Sequence, residues 1–468
     1  MNSNYISCIS PLDGQDLGKI EKDSLSSLNE KICKAQIIQQ EWAAQSIKAR
    51  AQIMLEYRQL VIKNTEELVH SIHQENGKTI IEAQAEIEKV IELTEFACSM
   101  PAVMLDAGLE VSKGVNCTMS HRPLGLVGSI TPFNFPLMVP HWSVPIALMA
   151  GNAVFLKPSD LVPRSPMLMA KIFCKAGLPE GLFNVLQGGA EIVHALCEHE
   201  AIKAISFVGS TSVAQLVYRQ ATHNLKRALC LGGAKNHLLV LPDADMKMTA
   251  ENVVASMSGM AGQRCMAASV MIAIGDCGDL IALIIEEAKK VVPGKNLGAI
   301  ISSQAKKRIE EHIKFAQEDG AQIILDGRGV IVKGKEAGNY IGPTIIDHVK
   351  PHMRAAHEEI FGPVLSIIRA QTIDEGIKIQ NSNAYGNGAS VYTQSGSLAS
   401  YVKQKLSAGM IGTNIGVPVP REPFSFGGTK ASKFGAGDIT GVSSIGFWTQ
   451  LVKYTTKWSA KDKTNWMS

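Results

Sequence analysis

The chain has 468 residues, 46% hydrophobic and 19% charged, which is the balance of an ordinary globular protein and excludes a disordered one. Lys and Arg number 46 against 43 Asp and Glu, a formal charge of +3 that is too small an excess for a dedicated nucleic-acid binder. At roughly 150 residues per unit the length allows about three packed units, and the 41 glycines carry no triplet repeat, so a collagen is excluded.

The first thirty residues contain no Arg and no basic start leading into an apolar run. They carry Asp13, Asp16, Glu21 and Asp23, and so predict neither a secretory signal nor a transit peptide. Residues 14 to about 100 read as helices, with apolar positions three and four apart in SLSSLNEKICKAQIIQQEWAAQ and IEAQAEIEKVIELTEFACSM. Residues 117–131 turn strand-like. Residues 137–156 (LMVPHWSVPIALMAGNAVFL) are long enough for a membrane span, but Pro140, His141, Pro145 and Asn152 interrupt them. A buried helix followed by a buried strand fits better.

From there strand and helix alternate: NAVFLKP, SPMLMAKIFCKAG ended by Gly177, FNVLQGG, EIVHALCEH, AISFVGS and VAQLVYRQAT. That order implies βαβ crossovers and a parallel sheet with helices on both faces. A second alternating series starts at HLLVLPDAD and runs through SVMIAIG, AQIILDG, YIGPTIIDHV and PVLSIIRA, with a break from the first near residues 229–237. Residues 443–454 (SSIGFWTQLVKY) are apolar and aromatic, with no obvious place in either sheet.

Several familiar sites are missing. The nine cysteines are odd in number and show no CxxC or CxxH pairing, which suggests thiols in a reducing cytoplasm rather than disulfides or zinc. None of the twelve histidines falls in HExxH, and HALCEHE has the wrong spacing, so no metal is expected. No GxGxxG occurs. Residues 329–335 nearly match a phosphate-binding loop, but Glu336 stands where Ser or Thr must reach Mg²⁺, and a hairpin turn explains them.

The strongest chemical signal is AGQRC, residues 261–265. A thiol beside the Arg264 guanidinium and near backbone N–H groups is expected to ionise readily and act as a nucleophile; the competing reading is a structural cysteine. TPFNFP (131–136) holds Asn134 between prolines and phenylalanines, a stiff amide suited to an oxyanion. KPSD (157–160) ends a strand with a cation and a carboxylate, and FVGST (207–211) ends another with one glycine and two hydroxyls ahead of a helix. EEIFGPV (358–364) and PFSFGGTKAS (423–432) complete the set.

In this order, with Asn134 standing 131 residues before Cys265, the six motifs resemble the aldehyde dehydrogenase superfamily over nearly the whole chain. NLKRALCLGGAKNH (224–237), AGQRCMA (261–267) and VPVPREPFSFGG (417–428) look like its CoA-acylating methylmalonate-semialdehyde dehydrogenase branch. The resemblance implies an α/β fold of two Rossmann-like domains plus a small β oligomerisation flap. Its NAD-binding domain would comprise 1–114 and 130–230, its catalytic domain 231–420, and its oligomerisation and bridging segments 115–129 and 440–468. A homodimer or homotetramer is implied, as is a cytoplasmic enzyme with no membrane or nucleic-acid partner.

It also implies roles. Cys265 would add to the aldehyde, with the Asn134 amide and the Cys265 backbone N–H on the oxyanion. Phe133, Lys157, Asp160, Gly209, Ser210, Glu359 and Phe361 would bind NAD: Lys157 the adenosine ribose, Gly209 and Ser210 the pyrophosphate, Glu359 the nicotinamide ribose, Phe361 the nicotinamide flank. Asp160 stands where the superfamily often has Glu, and a carboxylate there repels the 2′-phosphate of NADP. Plainer roles stay open: Lys157 as a strand-end cation, Ser210 as a helix N-cap, Phe361 as packing. Arg264 would take the substrate carboxylate, unless it makes an internal ion pair, and Lys89 stands where the branch usually has a second arginine. Arg421 and Glu422 add charge where the branch tends to be apolar.

One carboxylate is missing. Hydrolytic relatives carry Glu 34 residues before the cysteine, where this chain has Leu231, preceded by Cys230. Losing a general base costs about 10²–10⁴ in rate, whereas a thiol acceptor ionises more easily than water. Acyl transfer to CoA is therefore expected, with loss of CO₂ if the substrate is malonate or methylmalonate semialdehyde. The alternatives are a hydrolytic aldehyde dehydrogenase that uses another base, and an inactive structural or nucleotide-binding paralogue.

Overall fold

The computed structural model describes residues 4–458. Two mostly parallel sheets carry the architecture. The first has six strands in the order Lys433–Phe434, Arg227–Leu231, Ile202–Val208, Leu126–Ile130, Ala153–Lys157, Phe183–Val185, parallel except for the first. The second has seven, in the order Gln322–Leu325, Thr344–Asp347, Val364–Ala370, Ala268–Ile274, Asn236–Val240, Gly388–Tyr392, Met410–Thr413, parallel except for the first pair. Near-continuous apolar runs such as AVFLK and NHLLV are buried along their whole length, as strands covered by helices on both faces must be. The break between the sheets falls between Leu231 and Asn236, inside the residues 229–237 read from the alternation.

In the first sheet the chain steps outward from Leu126–Ile130 to Ala153–Lys157 and Phe183–Val185. It then returns to Ile202–Val208 on the other side of the starting strand. This reversal makes a crevice at the carboxyl ends of Leu126–Ile130 and Ile202–Val208, where open α/β sheets bind ligands.

The helix Met138–Met149 covers that crevice's strands and is buried from Val139 to Met149. Burial leaves its ends to be satisfied by side chains. At the N-terminus the N–H groups of Leu137 and Met138 donate to Glu86 Oε1 (2.8 and 2.9 Å). At the C-terminus the carbonyls of Leu148, Met149 and Gly151 accept from Trp42, Arg50 and Gln39 (2.8, 3.0 and 2.9 Å). Residues 137–156 are thus a core helix and a core strand, and no helix among the described residues is long and apolar enough to cross a membrane.

Three boundaries differ from the sequence reading. Residues 16–21 are not helical: Asp16–Glu21 pairs with Tyr5–Ile9 in a hairpin whose alternate residues Ile6 and Cys8 are buried. The separate three-stranded antiparallel sheet starts at Ala107 rather than 115, because Gly114 (φ +72) turns Ala107–Ser112 back onto Val115–Pro123. Gly125 (φ +113) then ends that hairpin, so Leu126–Ile130 joins the six-stranded sheet instead. Within 440–468, Gly441–Trp448 is a helix docked on the chain's own core, with Trp448 buried and Asn152 Nδ2 donating to its carbonyl (3.0 Å). Thr449–Lys457 is the third strand of the small sheet, paired with Val115–Pro123. Residues 1–3 and 459–468 lie outside the described residues.

Candidate active site

Three residues that immediately precede or begin neighbouring parallel strands build the nucleophile's seat. Asn236 starts Asn236–Val240, Cys265 stands three residues before Ala268–Ile274, and Asn387 precedes Gly388–Tyr392. The Cys265 carbonyl accepts from Asn236 Nδ2 (2.8 Å) and Asn387 Nδ2 (3.0 Å). Asn236 also donates to the Ala267 carbonyl (3.0 Å) and accepts from the Gly388 N–H (3.0 Å), so one amide ties three strand ends together.

The segment leading into Cys265 leaves the helix Met246–Ser258 through Met260, Ala261 and Gly262, all left-handed (φ 53, 51 and 70). Two non-glycine residues in that region cost about 1–3 kcal/mol each and persist only where neighbours enforce them. The neighbours here are specific. Met260 N–H donates to Glu82 Oε1 (2.5 Å), Gln263 Nε2 donates to the Ala299 carbonyl (3.2 Å), and Gln263 Oε1 accepts from Ile301 N–H (3.0 Å). A Cβ on Gly262 would lie 2.0 Å from the Gly362 carbonyl oxygen, so only glycine fits.

Asn134 is buried, and its Nδ2 donates to the Gln263 carbonyl (3.0 Å), which leaves the second N–H of that amide uncommitted. Its backbone is held by Asn76 Nδ2 on the Phe133 carbonyl (2.8 Å) and by the Glu86 cap three residues on. Glu86 is ion-paired with Lys78, both side chains being buried, and Lys78 Nζ stands 4.3 Å from the Phe135 ring centroid. The residues that position TPFNFP therefore come from helices Thr65–Asn76 and Ile80–Cys98 and the turn between them. The T79-x-x-E82 spacing of a capping box marks that turn in the sequence, and the box is formed.

Two cavities meet at Cys265, the one residue that lines both of them. The first, about 190 Å³, is lined by Phe133, Asn134, Gly209, Ser210, Glu359 and Phe361, among others. It opens at the crevice of the six-stranded sheet. Phe133 and Phe361 meet edge to face across it, with centroids 5.9 Å apart, and Phe361 is itself left-handed (φ 57). Glu359 Oε1 accepts from the Ala234 N–H (2.9 Å), and burial pushes its carboxyl up against the opposing pull of that bond, Lys235 and Arg308. Ser210 occupies the N-cap position of Thr211–His223, but its hydroxyl caps nothing and rests 3.5 Å from Ser212 Oγ. The second cavity, about 410 Å³, is lined by Lys89, Glu92, Arg264, Arg421 and Glu422 together with an apolar wall that includes Trp142 and Phe426.

Burial, then Glu359, push the Cys265 thiol up to about 12, and Arg264 partly opposes them. Arg264 turns back over Gly259, and its Nη2 donates to the Ala255 and Ser256 carbonyls (2.9 and 2.8 Å), capping the helix it follows. Its Nε is buried without a partner, so it is not consumed by an internal ion pair.

Lys157 and Asp160 do not line the Cys265 cavities. They pair with each other (2.8 Å) at the end of Ala153–Lys157, beside the strand that leads into Asn134. Lys89 does reach the second cavity, but its Nζ is held by Glu422 (2.7 Å) and Glu92 (3.1 Å). Leu231 and Cys230 are buried in Arg227–Leu231, and burial pushes the Cys230 thiol far up, so neither can take a proton from water. Sequence reasoning missed Asn76, Lys78, Glu82, Glu86 and Asn387. It also passed over Lys235, whose buried Nζ donates to the Glu358 carbonyl (2.7 Å) and which burial pushes down to about 7.

The crevice of the open α/β sheet and a second cavity lined by charged side chains meet at the partly buried Cys265, and the chain belongs to the aldehyde dehydrogenase family, whose model matches residues 1–453. It is similar to the mitochondrial methylmalonate-semialdehyde/malonate-semialdehyde dehydrogenase (acylating) of Bos taurus, with 38% identity over 98% of this chain and 87% of that one. It is similar to malonate-semialdehyde dehydrogenase 2 of Bacillus thuringiensis strain Al Hakam, with 39% identity over 96% of this chain and 93% of the other. Among solved structures, methylmalonate-semialdehyde dehydrogenase from Oceanimonas doudoroffii superposes with a TM-score of 0.96 at 36% identity, covering 98% of this chain and 96% of its own. A Sinorhizobium meliloti 1021 protein solved in complex with NAD gives a TM-score of 0.97 at 36% identity, over 99% and 96% of the two chains.

Proposed function

We propose that this enzyme oxidises a short carboxylated semialdehyde, malonate or methylmalonate semialdehyde, with NAD, and passes the acyl group from Cys265 to CoA. The observation that carries the reading is the placement of Cys265 at the junction of a nucleotide-type crevice and a cavity that holds the unpaired cation Arg264, with buried Leu231 where a water-activating Glu would stand. The names and the NAD complex of the relatives support the same reading.

The crevice fits NAD. Ser210 offers a hydroxyl that caps nothing at the start of a thirteen-residue helix, where backbone N–H groups favour a pyrophosphate. Gly233 leaves room beside Glu359, since a Cβ there would lie 2.3 Å from Glu359 Oε2. Glu359 would hold the nicotinamide ribose, Phe133 and Phe361 would flank the ring, and Lys157 with Asp160 would meet the adenosine ribose. NAD supplies the hydride acceptor.

The chain's own residues do the rest. Cys265 loses its proton to solvent in the open cavity, and its sulfur bonds to the aldehyde carbon as the carbonyl π pair moves onto oxygen. The free N–H of Asn134 and the Cys265 backbone N–H take the developing oxyanion. Arg264, which lines the second cavity without a carboxylate partner among the described residues, would meet the substrate carboxylate. The thioester then meets no carboxylate at position 231, and the CoA thiol displaces the Cys265 sulfur. Loss of CO₂ from the Cys265 thioester, whose carbonyl takes up the electron pair of the breaking bond, would leave an acetyl or propionyl group on the sulfur, and its transfer would give acetyl-CoA or propionyl-CoA.

The small sheet supports a homodimer or homotetramer: Ala107–Ser112 is exposed throughout, and Leu109, Val111, Leu451 and Tyr454 stand out from the surface. All nine cysteines are free, as a cytoplasmic enzyme would have them. The deciding assay follows NADH and product with and without CoA. Acyl-CoA formed only with CoA supports the proposal; brisk turnover without CoA, yielding the free acid, refutes it in favour of hydrolysis.

A further inference from the structure

The cavity that would receive the substrate carries its own carboxylates. Glu88, Glu92 and Glu422 line it alongside Lys89, Arg264 and Arg421, so its charged side chains balance three against three. The pairing is uneven. Lys89 Nζ lies 2.7 Å from Glu422 Oε2 and 3.1 Å from Glu92 Oε2, and Arg421 Nη1 lies 3.4 Å from Glu92 Oε1. Glu422 is the better buried of the two partners of Lys89, with its side chain 11% exposed against 43% for Glu92. Glu92 sits on the same helix as Lys89, whereas Glu422 comes from the segment after Met410–Thr413, which lines the cavity from Ile415 onward. Arg264 alone among the three cations has no carboxylate within ion-pair distance among the described residues.

We propose that Glu422 is a specificity-determining residue that occupies Lys89 as an internal stand-in for the substrate carboxylate, so that an incoming carboxylate must displace it to use Lys89. The inference rests on the reading of the substrate as a carboxylated semialdehyde. Its physical content is competition. An anion entering a neutral ring finds one ready partner, Arg264, and a second that is already taken by a partly buried carboxylate. Removing the Glu422 charge turns the ring net positive and leaves Lys89 held only by its exposed helical neighbour Glu92. Attraction between a partly buried cation and a carboxylate favours anionic over neutral aldehydes, which is specificity gained by deleting a repulsive element.

The test compares wild type, E422Q and E422A on methylmalonate semialdehyde and on propanal, its neutral counterpart without the carboxylate. The readout is the ratio of the two kcat/KM values, so a general loss of fold or activity cancels. The ratio is expected to rise about tenfold in E422Q, carried by a lower KM for the semialdehyde, and K89M is expected to abolish that rise. A ratio that stays within twofold, or that falls because Glu422 merely orients Lys89, overturns the proposal. Wild-type preference separates the two readings. If wild type prefers propanal and E422Q reverses this, Glu422 keeps its role and the substrate class falls. If wild type prefers the semialdehyde and E422Q changes nothing, Glu422 alone falls.

Discussion

Replacing Glu86 by Gln isolates the support beneath Asn134. Glu86 and Lys78 are a buried ion pair with side chains 0% and 1% exposed, and Glu86 Oε1 also caps the helix that follows Asn134. Glutamine keeps an acceptor for the Leu137 and Met138 N–H groups but leaves the Lys78 ammonium buried without a counter-charge. Breaking one side of such a pair costs about 3–5 kcal/mol, and burial already pushes the Lys78 ammonium down, so in the variant it is expected to shed its proton to limit that cost. Unfolding in urea, followed by tryptophan fluorescence, should show the loss, and the NADH burst should slow as Asn134 loses its fixed position. The double variant K78M/E86Q, which removes both charges, should recover most of the stability. A loss below about 1 kcal/mol in E86Q, or no recovery in the double variant, would refute the claim that this pair holds the site.

Two further outcomes follow from the nucleophile's surroundings. A thiol pushed up to about 12 is almost wholly protonated at neutral pH, so alkylation of Cys265 in the free enzyme should rise about tenfold per pH unit from 7 to 10, without the plateau near 8.5 of an ordinary thiol. Peptide mass spectrometry after timed iodoacetamide exposure reads that slope, and a plateau below pH 9 would contradict it. Gly262→Ala places a Cβ 2.0 Å from the Gly362 oxygen at φ +70, so the variant should lose at least about tenfold in acylation rate even where it folds; wild-type burst kinetics would contradict that.

Much of this was legible in the chain because it is local. The alternation of apolar strands with amphipathic helices gave away both sheets and the break between them, and motifs that end or precede strands marked the crevice. What stayed hidden is long-range. Glu86 caps residues 51 and 52 positions away, Asn387 reaches Cys265 across 122, and Lys89 meets Glu422 across 333. No local pattern encodes those meetings. The charge of Arg264 favours the Cys265 thiolate, as the sequence suggests, but local order does not reveal that the guanidinium turns back to cap its own helix or that burial and Glu359 act in the opposite direction. The end of the chain misled because its apolar residues were assigned to an oligomerisation segment, and Ile445, Phe447 and Trp448 pack in the chain's own core.

The most direct test of the account is intact-protein mass spectrometry of enzyme quenched after mixing with NAD and methylmalonate semialdehyde in the absence of CoA. A propionyl adduct should accumulate on Cys265, persist in water, and vanish within the mixing time once CoA is added. An unmodified Cys265, or an adduct that water clears as fast as CoA does, would contradict the account.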